Sequence, residues 1–271
     1  MTRPKCSSRL RSLASPDVQP SWRFHIEGCD ALVEPHVYDL RRMLGESLGD
    51  WPADGIATER RPYSLFVTAL NPAAARWMSQ QLPQIMRSVN RLAGRPVPVV
   101  TDALAVGAHL ESRPAPDDDD DDTRPPLFVY RIGSLVVAGA RDDWTSWEEE
   151  RLDEARAETL EDVVCREIAR WLAVWSSGHG QGEPASVEGM LRQLRAAGGF
   201  ILLDEGRSMR ITPARGPRGM ARLDVRFASR WRLSGRMHIA GMRQQGYGRI
   251  QLMGMSNRSA AAPQQQLTQE G

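Results

Sequence analysis

The chain of 271 residues predicts an α+β fold built in two parts. Two observations carry that reading. Runs with a period of two, which mark strands, alternate with runs of period 3.6, which mark amphipathic helices. The pattern stops once, at residues 117–122, six consecutive aspartates flanked by prolines, and then restarts. Like charges repel, so an extended acidic linker is expected at 113–126. A rigid cation site needs ligands spaced by turns, which this run lacks. The length suits one large or two small domains, and 41% hydrophobic content is enough for a core.

Residues 1–20 are polar and aperiodic, so a loose tail is expected. Residues 22–26 form a first strand, with Trp22, Phe24 and Ile26 on one face and Arg23 and His25 together on the other. Pro35 suits the first turn of a helix whose buried stripe is Val37, Leu40, Leu44 and Leu48. His36 lies in its first turn, Arg41 near one edge of the stripe, and Tyr38 and Arg42 project four residues apart from another face. Residues 63–70 read as a strand. Asn71 is an N-cap with Pro72 at the first helical position, and a helix follows towards Arg91, kinked or divided by Pro83. Residues 97–110 have β character with one or two breaks. This order is close to a ferredoxin-like unit with one strand unclear.

After the linker, residues 127–138 restart the β pattern. A long helix from Trp144 to about Trp175 has Leu152, Ala155, Leu160, Val163, Val164, Ile168, Trp171, Leu172 and Trp175 as its apolar positions. A break at 176–184 precedes a short helix at 186–197 carrying Arg192 and Arg195. That helix is either an ordinary connection or a basic finger. Residues 200–203 are a strand with 209–211 as its partner. Arg207, Arg210, Arg215, Arg218 and Arg222 surround an irregular basic loop, and 257–271 form a second tail.

The net charge is +1, but its distribution is uneven. Residues 141–190 hold five arginines against thirteen acids; residues 201–260 hold twelve against three. A basic binding face and a separate acidic surface follow. Lys5 is the only lysine, so the cations are arginines, whose planar fork pairs with phosphate and stacks on bases. Cys6, Cys29 and Cys165 suit neither a disulfide framework nor zinc, which points to a reducing cytoplasm. The basic start is not followed by an apolar run, so no secretory signal is expected. No segment has the length and apolarity to span a membrane.

The most informative stretch is 225–255. Val225, Phe227, Trp231 and Leu233 alternate with Arg226, Ala228, Arg230 and Arg232, which predicts one apolar and one cationic sheet face. A short strand at 237–240 leads into Gly241, Arg243, Gly246, Tyr247, Gly248 and Arg249. Glycines allow close main-chain approach to a ligand, and arginines among them suit a phosphate backbone. The plain alternative is a hairpin turn near the end of a sheet. The spacing is not G-x-G-x-x-G, and no P-loop is present.

The whole pattern resembles the C-terminal glycine-rich motif of the RAMP superfamily, and within it the repeat-cleaving CRISPR RNA endoribonucleases. There a strand leads into a loop ending in Gly-aromatic-Gly, followed by a last apolar strand; Gly246-Tyr247-Gly248 and Ile250-Gln251-Leu252 fill those places. The long basic segment and the arginine usage point to its type IV CRISPR members. The resemblance implies two tandem ferredoxin-like, RRM-like units, at 21–112 and 127–256, with an inserted helical arginine-rich finger at about 184–222 and a glycine-rich loop at 241–249. It implies cleavage without metal or other cofactor, through attack of a ribose 2′-OH on the adjacent phosphate. Its partners would be CRISPR repeat RNA, the mature crRNA to which it stays bound, and other Cas effector subunits.

His36 occupies the region from which the family often supplies a histidine. Arg23, Arg42 and Arg243 are the candidates if arginines carry the site, with Tyr38 as a hydrogen-bonding partner. Arginine stays protonated, so it stabilises a phosphorane but is a poor base. The RNA contacts would come from Arg192, Arg195, Arg210, Arg226, Arg230, Arg232, Arg243, Gly246, Gly248 and Arg249. A β-branched residue at Gly246 or Gly248 is expected to impair RNA binding more than folding. The alternative is a non-catalytic RAMP subunit that binds crRNA within an effector complex. None of the five histidines begins a His-x-Thr/Ser motif, so a two-histidine phosphodiesterase is set aside. No helix-turn-helix is evident either.

Overall fold

In the computed structural model, which describes residues 12–26, 55–61, 63–110, 127–138, 153–176, 186–211 and 219–256, two antiparallel sheets share one hydrophobic core. The first contains β1 (Ser12–His25), β2 (Ile56–Arg61), β3 (Ser64–Ala69) and β4 (Val99–Leu110). Between β3 and β4 runs helix α1 (Pro72–Ala93). The second sheet contains β5 (Leu127–Ala138), β6 (Phe200–Asp204), β7 (Arg207–Ile211), β8 (Gly219–Ser229) and β10 (Ile250–Ser256). Helices α2 (Asp153–Ser176) and α3 (Val187–Ala196) lie between β5 and β6. The remaining strand, β9 (Trp231–Ser234), follows β8 in the chain but joins the first sheet.

The strand orders are β2-β3-β1-β4-β9 and β10-β5-β8-β6, with β7 also on β8. Numbered within each unit, both read 2-3-1-4 apart from the extra strands, which is the ferredoxin-like arrangement. The expected helix from Pro35, the acidic linker at 113–126, the tail at 257–271 and residues 212–218 of the basic loop lie outside the described residues.

In α1, Asn71 Oδ1 accepts the Ala74 N–H at 2.8 Å, as an N-cap should, and the helix runs through Pro83. Ala74, Met78, Ile85 and Val89 form its buried stripe against the apolar face of the sheet, where Trp22, Phe24, Leu65 and Val67 are buried. Ala169, Trp171, Leu172, Ala173 and Trp175 are all buried in α2, so its last turns are enclosed almost all round. That helix packs against β1, β4 and β6 and so belongs to both units.

Three expectations need correction. β1 begins at Ser12, within the segment read as a tail. Its residues 12–14 and 18–20 pair with β4 alone; Pro16 falls in the irregularity between them and Pro20 at an edge position, both of which tolerate proline. β7 does not pair with β6; the two lie end to end along β8. Residues 225–233 are not one strand. Ser229 ends in the second sheet and Trp231 starts in the first, so the apolar alternation is real while the two halves serve different sheets.

The crossing is tightly held. The Tyr130 hydroxyl on β5 donates to the Trp231 carbonyl at 2.8 Å and accepts the Leu233 N–H at 2.8 Å. Ser229 Oγ donates to the Gly199 carbonyl, and the Trp231 indole N–H donates to the Leu194 carbonyl. Tyr130→Phe would leave a buried carbonyl and a part-buried N–H without that partner. The expected loss is about 1–3 kcal/mol, read from urea unfolding.

Candidate nucleic-acid interface

Cross-strand register defines the sheet face opposite α1. Arg23 pairs with Phe66, Ser21 with Thr68 and His25 with Ser64 across β1 and β3. Phe66 pairs with Glu59 and Ser64 with Arg61 across β3 and β2. Directly paired residues share a face, so Arg23, His25, Phe66, Glu59 and Arg61 stand on one side. Arg23 and His25 are exposed.

The glycine-rich segment crosses this face to the β2 edge and also touches the second sheet. Gln19, fully buried, is its anchor. Its Nε2 donates to the carbonyls of Ala69 at 2.7 Å and Arg236 at 3.0 Å, and its Oε1 accepts the Arg236 N–H at 2.7 Å. The Thr58 hydroxyl donates to the Gln244 carbonyl at 3.1 Å. On the other side, Gly241 and Gly248 N–H groups donate to the carbonyls of Val136 and Ser134 on β5. The expected strand at 237–240 is reduced to a single bridge between His238 and Arg249.

The glycines answer to the protein's own backbone. Gly248 has φ +69°, and a Cβ there would lie 1.8 Å from the Ile239 carbonyl oxygen. Gly246 has φ +85°, and its Cβ would lie 2.8 Å from the Thr58 carbonyl oxygen. A β-branched residue at 248 therefore strikes the fold first, which reverses the expected order of effects for that position.

The seated segment delivers two arginines to the face. The Arg236 guanidinium lies 4.0 Å from the Phe66 ring centroid, and Nη1 donates to Ser21 Oγ at 3.0 Å. Arg61 approaches the same ring at 5.6 Å. Burial, with Arg249 close by, pushes Arg236 down to about 10, so it stays charged at neutral pH. Arg249 and Arg61 both bond Glu59 Oε1, while Oε2 is buried without a hydrogen-bond partner. Three arginines thus gather around Glu59, and with Asp102 on β4 also acting on Arg236 the patch still keeps a positive excess.

His238 lies beneath them, buried. Its Nδ1 is 3.2 Å from the Tyr247 carbonyl; a carbonyl only accepts, so Nδ1 carries the proton. Sealed in this way, it has no access to a bound ligand, and burial pushes its pKa down to about 4.

The other expected residues are dispersed. His36, Tyr38 and Arg42 lie outside the described residues. Arg226 is exposed on the second sheet opposite Arg131, which is itself paired with Asp224. Arg230 is exposed in the bend between β8 and β9, and Arg232 is exposed on β9 opposite His109. The expected single cationic face is therefore split by the crossing. Arg210 pairs with Met220 in the β7–β8 ladder. In α3, Met190, Leu191 and Leu194 are buried and the helix packs on α2 rather than standing out as a finger. Arg192 is exposed, and Arg195 pairs with Asp162. Arg222, read as part of a basic loop, is 7% exposed and paired with Glu205. Arg243 opens the single turn at 243–245.

Sequence reasoning missed Arg236, Arg61, Phe66 and Glu59. Residues 56–61 show no apolar alternation, and only the two-residue spacing of Glu59 and Arg61 places them on one face once the run is a strand. Among the described residues, no group of three His, Cys, Asp or Glu could hold a metal.

Gly248→Val is expected to cost about 3 kcal/mol or more, seen as a lower urea midpoint. A second outcome concerns pH. Unfolded His238 takes up a proton near pH 6.5, whereas the folded side chain does so only near 4. Its contribution to stability is therefore complete above about 6.5 and falls by up to about 1.4 kcal/mol per pH unit towards 4. Urea unfolding across that range should show this slope, and His238→Gln should flatten it.

No protein-family model matches this chain, and no curated protein matches it in sequence. Solved structures do match in fold. "Csf5, CRISPR-Cas type IV Cas6 crRNA endonuclease" superposes with a TM-score of 0.50 at 15% identity, over 87% of this chain and 99% of that one. A crystal structure of Cas6b gives a TM-score of 0.50 at 10% identity, over 86% and 98%. The chain therefore shares, over nearly their whole length, the fold of a type IV Cas6 crRNA endonuclease and of Cas6b.

Proposed function

We propose that the protein is a CRISPR RNA-processing endoribonuclease of the type IV kind. It binds the stem-loop of a CRISPR repeat, cleaves it without metal and stays on the mature crRNA. The observation that carries this reading is the placement of cations. The glycine-rich segment seats Arg236 and Arg249 on the sheet face that also bears Arg23 and Arg61. The shared fold supports it.

The chemistry is transesterification. The 2′-oxygen bonds to phosphorus, the bond from phosphorus to the 5′-oxygen breaks, and a cyclic phosphate and a 5′-OH result. Arg23, exposed on β1, would hold the phosphate oxygens as charge develops. In this reading His36 moves a proton, Arg42 stabilises the phosphorane and Tyr38 orients the reacting groups. Arg192, Arg195, Arg210, Arg226, Arg230, Arg232 and Arg243 would track the RNA backbone, while Gly246 and Gly248 shape the seat for Arg249. Other Cas effector subunits would join the RNA-bound protein in the cytoplasm.

A labelled repeat RNA from the same genome, incubated with the protein in excess EDTA, is expected to be cut at one site. A 2′-deoxy residue at that site should abolish cleavage. Arg23→Ala should slow cutting about 100-fold or more while changing affinity little. Tight binding without cleavage would favour the non-catalytic subunit, and neither binding nor cleavage would remove the proposal.

A further inference from the structure

We infer that His25 is a catalytic proton carrier of this cleavage, an inference that rests on the endoribonuclease reading. Three histidines are described: His25, His109 and His238. His238 is sealed under the glycine-rich segment with its Nδ1 engaged. His109 is half-buried towards the far end of β4, opposite Arg232. His25 ends β1, exposed, on the same face as Arg23.

Two residues along a strand span about 6.6 Å, close to the reach across one phosphodiester group. With Arg23 on the phosphate oxygens, the His25 imidazole falls beside an ester oxygen of the same phosphate. The neighbouring strands leave the position open and cationic. Ser64 is its direct partner on β3, and Arg61 lies beyond Ser64 on β2. Exposed Tyr63 adjoins the β2–β3 hairpin and accepts the Ile26 N–H through its carbonyl. On the β4 side the His25 N–H donates to the Pro98 carbonyl, with Val99 next in the chain. Among the described residues, the titratable or charged groups around His25 are thus Arg23, Arg61 with its ion-pair partner Glu59, and Tyr63.

In the step, the 2′-OH loses a proton as its oxygen bonds to phosphorus, and the departing 5′-oxygen gains one. His25 carries one of these protons and a second acid–base group the other; nothing is oxidised or reduced. Histidine suits that exchange near neutral pH, and positioned proton transfer contributes about 100-fold or more.

The test is single-turnover cleavage of a repeat hairpin by the full chain. Wild type must cut; if it does not, the endoribonuclease reading fails first. Given that, His25→Ala and His25→Gln should cut about 100-fold slower with RNA affinity within about threefold of wild type. Free imidazole should restore part of the His25→Ala rate. The pH–rate profile should lose one ionisation limb in both variants. Cutting within about threefold of wild type, or a loss that follows affinity and resists imidazole, overturns the inference.

Discussion

After Ser229 the chain leaves the second sheet and enters the first, and the hydroxyl of Tyr130 bonds both the Trp231 carbonyl and the Leu233 N–H across that move. Most of the remaining organisation depends on it. β9 extends the first sheet on β4, so the segment after it must travel over the sheet face opposite α1. Gln19 then fixes its path at Arg236. In an ordinary ferredoxin-like unit a helix would join the third and fourth strands. Here β9 and the glycine-rich segment do so, and the two units become one core.

The electrostatics follow from that path. A half-buried arginine is costly unless its face is covered and its donors are engaged. Phe66 covers Arg236 and Ser21 takes one donor. Glu59 offsets Arg249 and Arg61 together. Glu59, with Asp102 acting on Arg236, is enough to assemble the cluster of three arginines and too little to neutralise it. The residual charge lies beside exposed Arg23, where a phosphate backbone gains most from it.

Most elements were legible because their signals are local. The Asn71-Pro72 start of α1, the period two of 22–26 and the apolar positions of α2 each depend on neighbours in sequence. The sheet change at Arg230 was not legible, because alternation continues through it and only the partner strand differs. β2 escaped because Ile56 and Ala57 are both buried, which breaks the alternation where it starts. The glycines were read as close approach to a ligand, whereas at Gly246 and Gly248 the close approach is to Thr58 and Ile239. Arg23 and His25 were correctly placed on one face; Arg236 and Phe66 meet only through tertiary structure.

The most direct test of the central claim is hydrogen–deuterium exchange with and without a repeat hairpin RNA. The account predicts protection at 20–26, 59–66 and 236–249, the strands and the segment that meet on the face opposite α1. Protection confined to α3 and the outer side of β6 and β8, with those three segments unchanged, would contradict it.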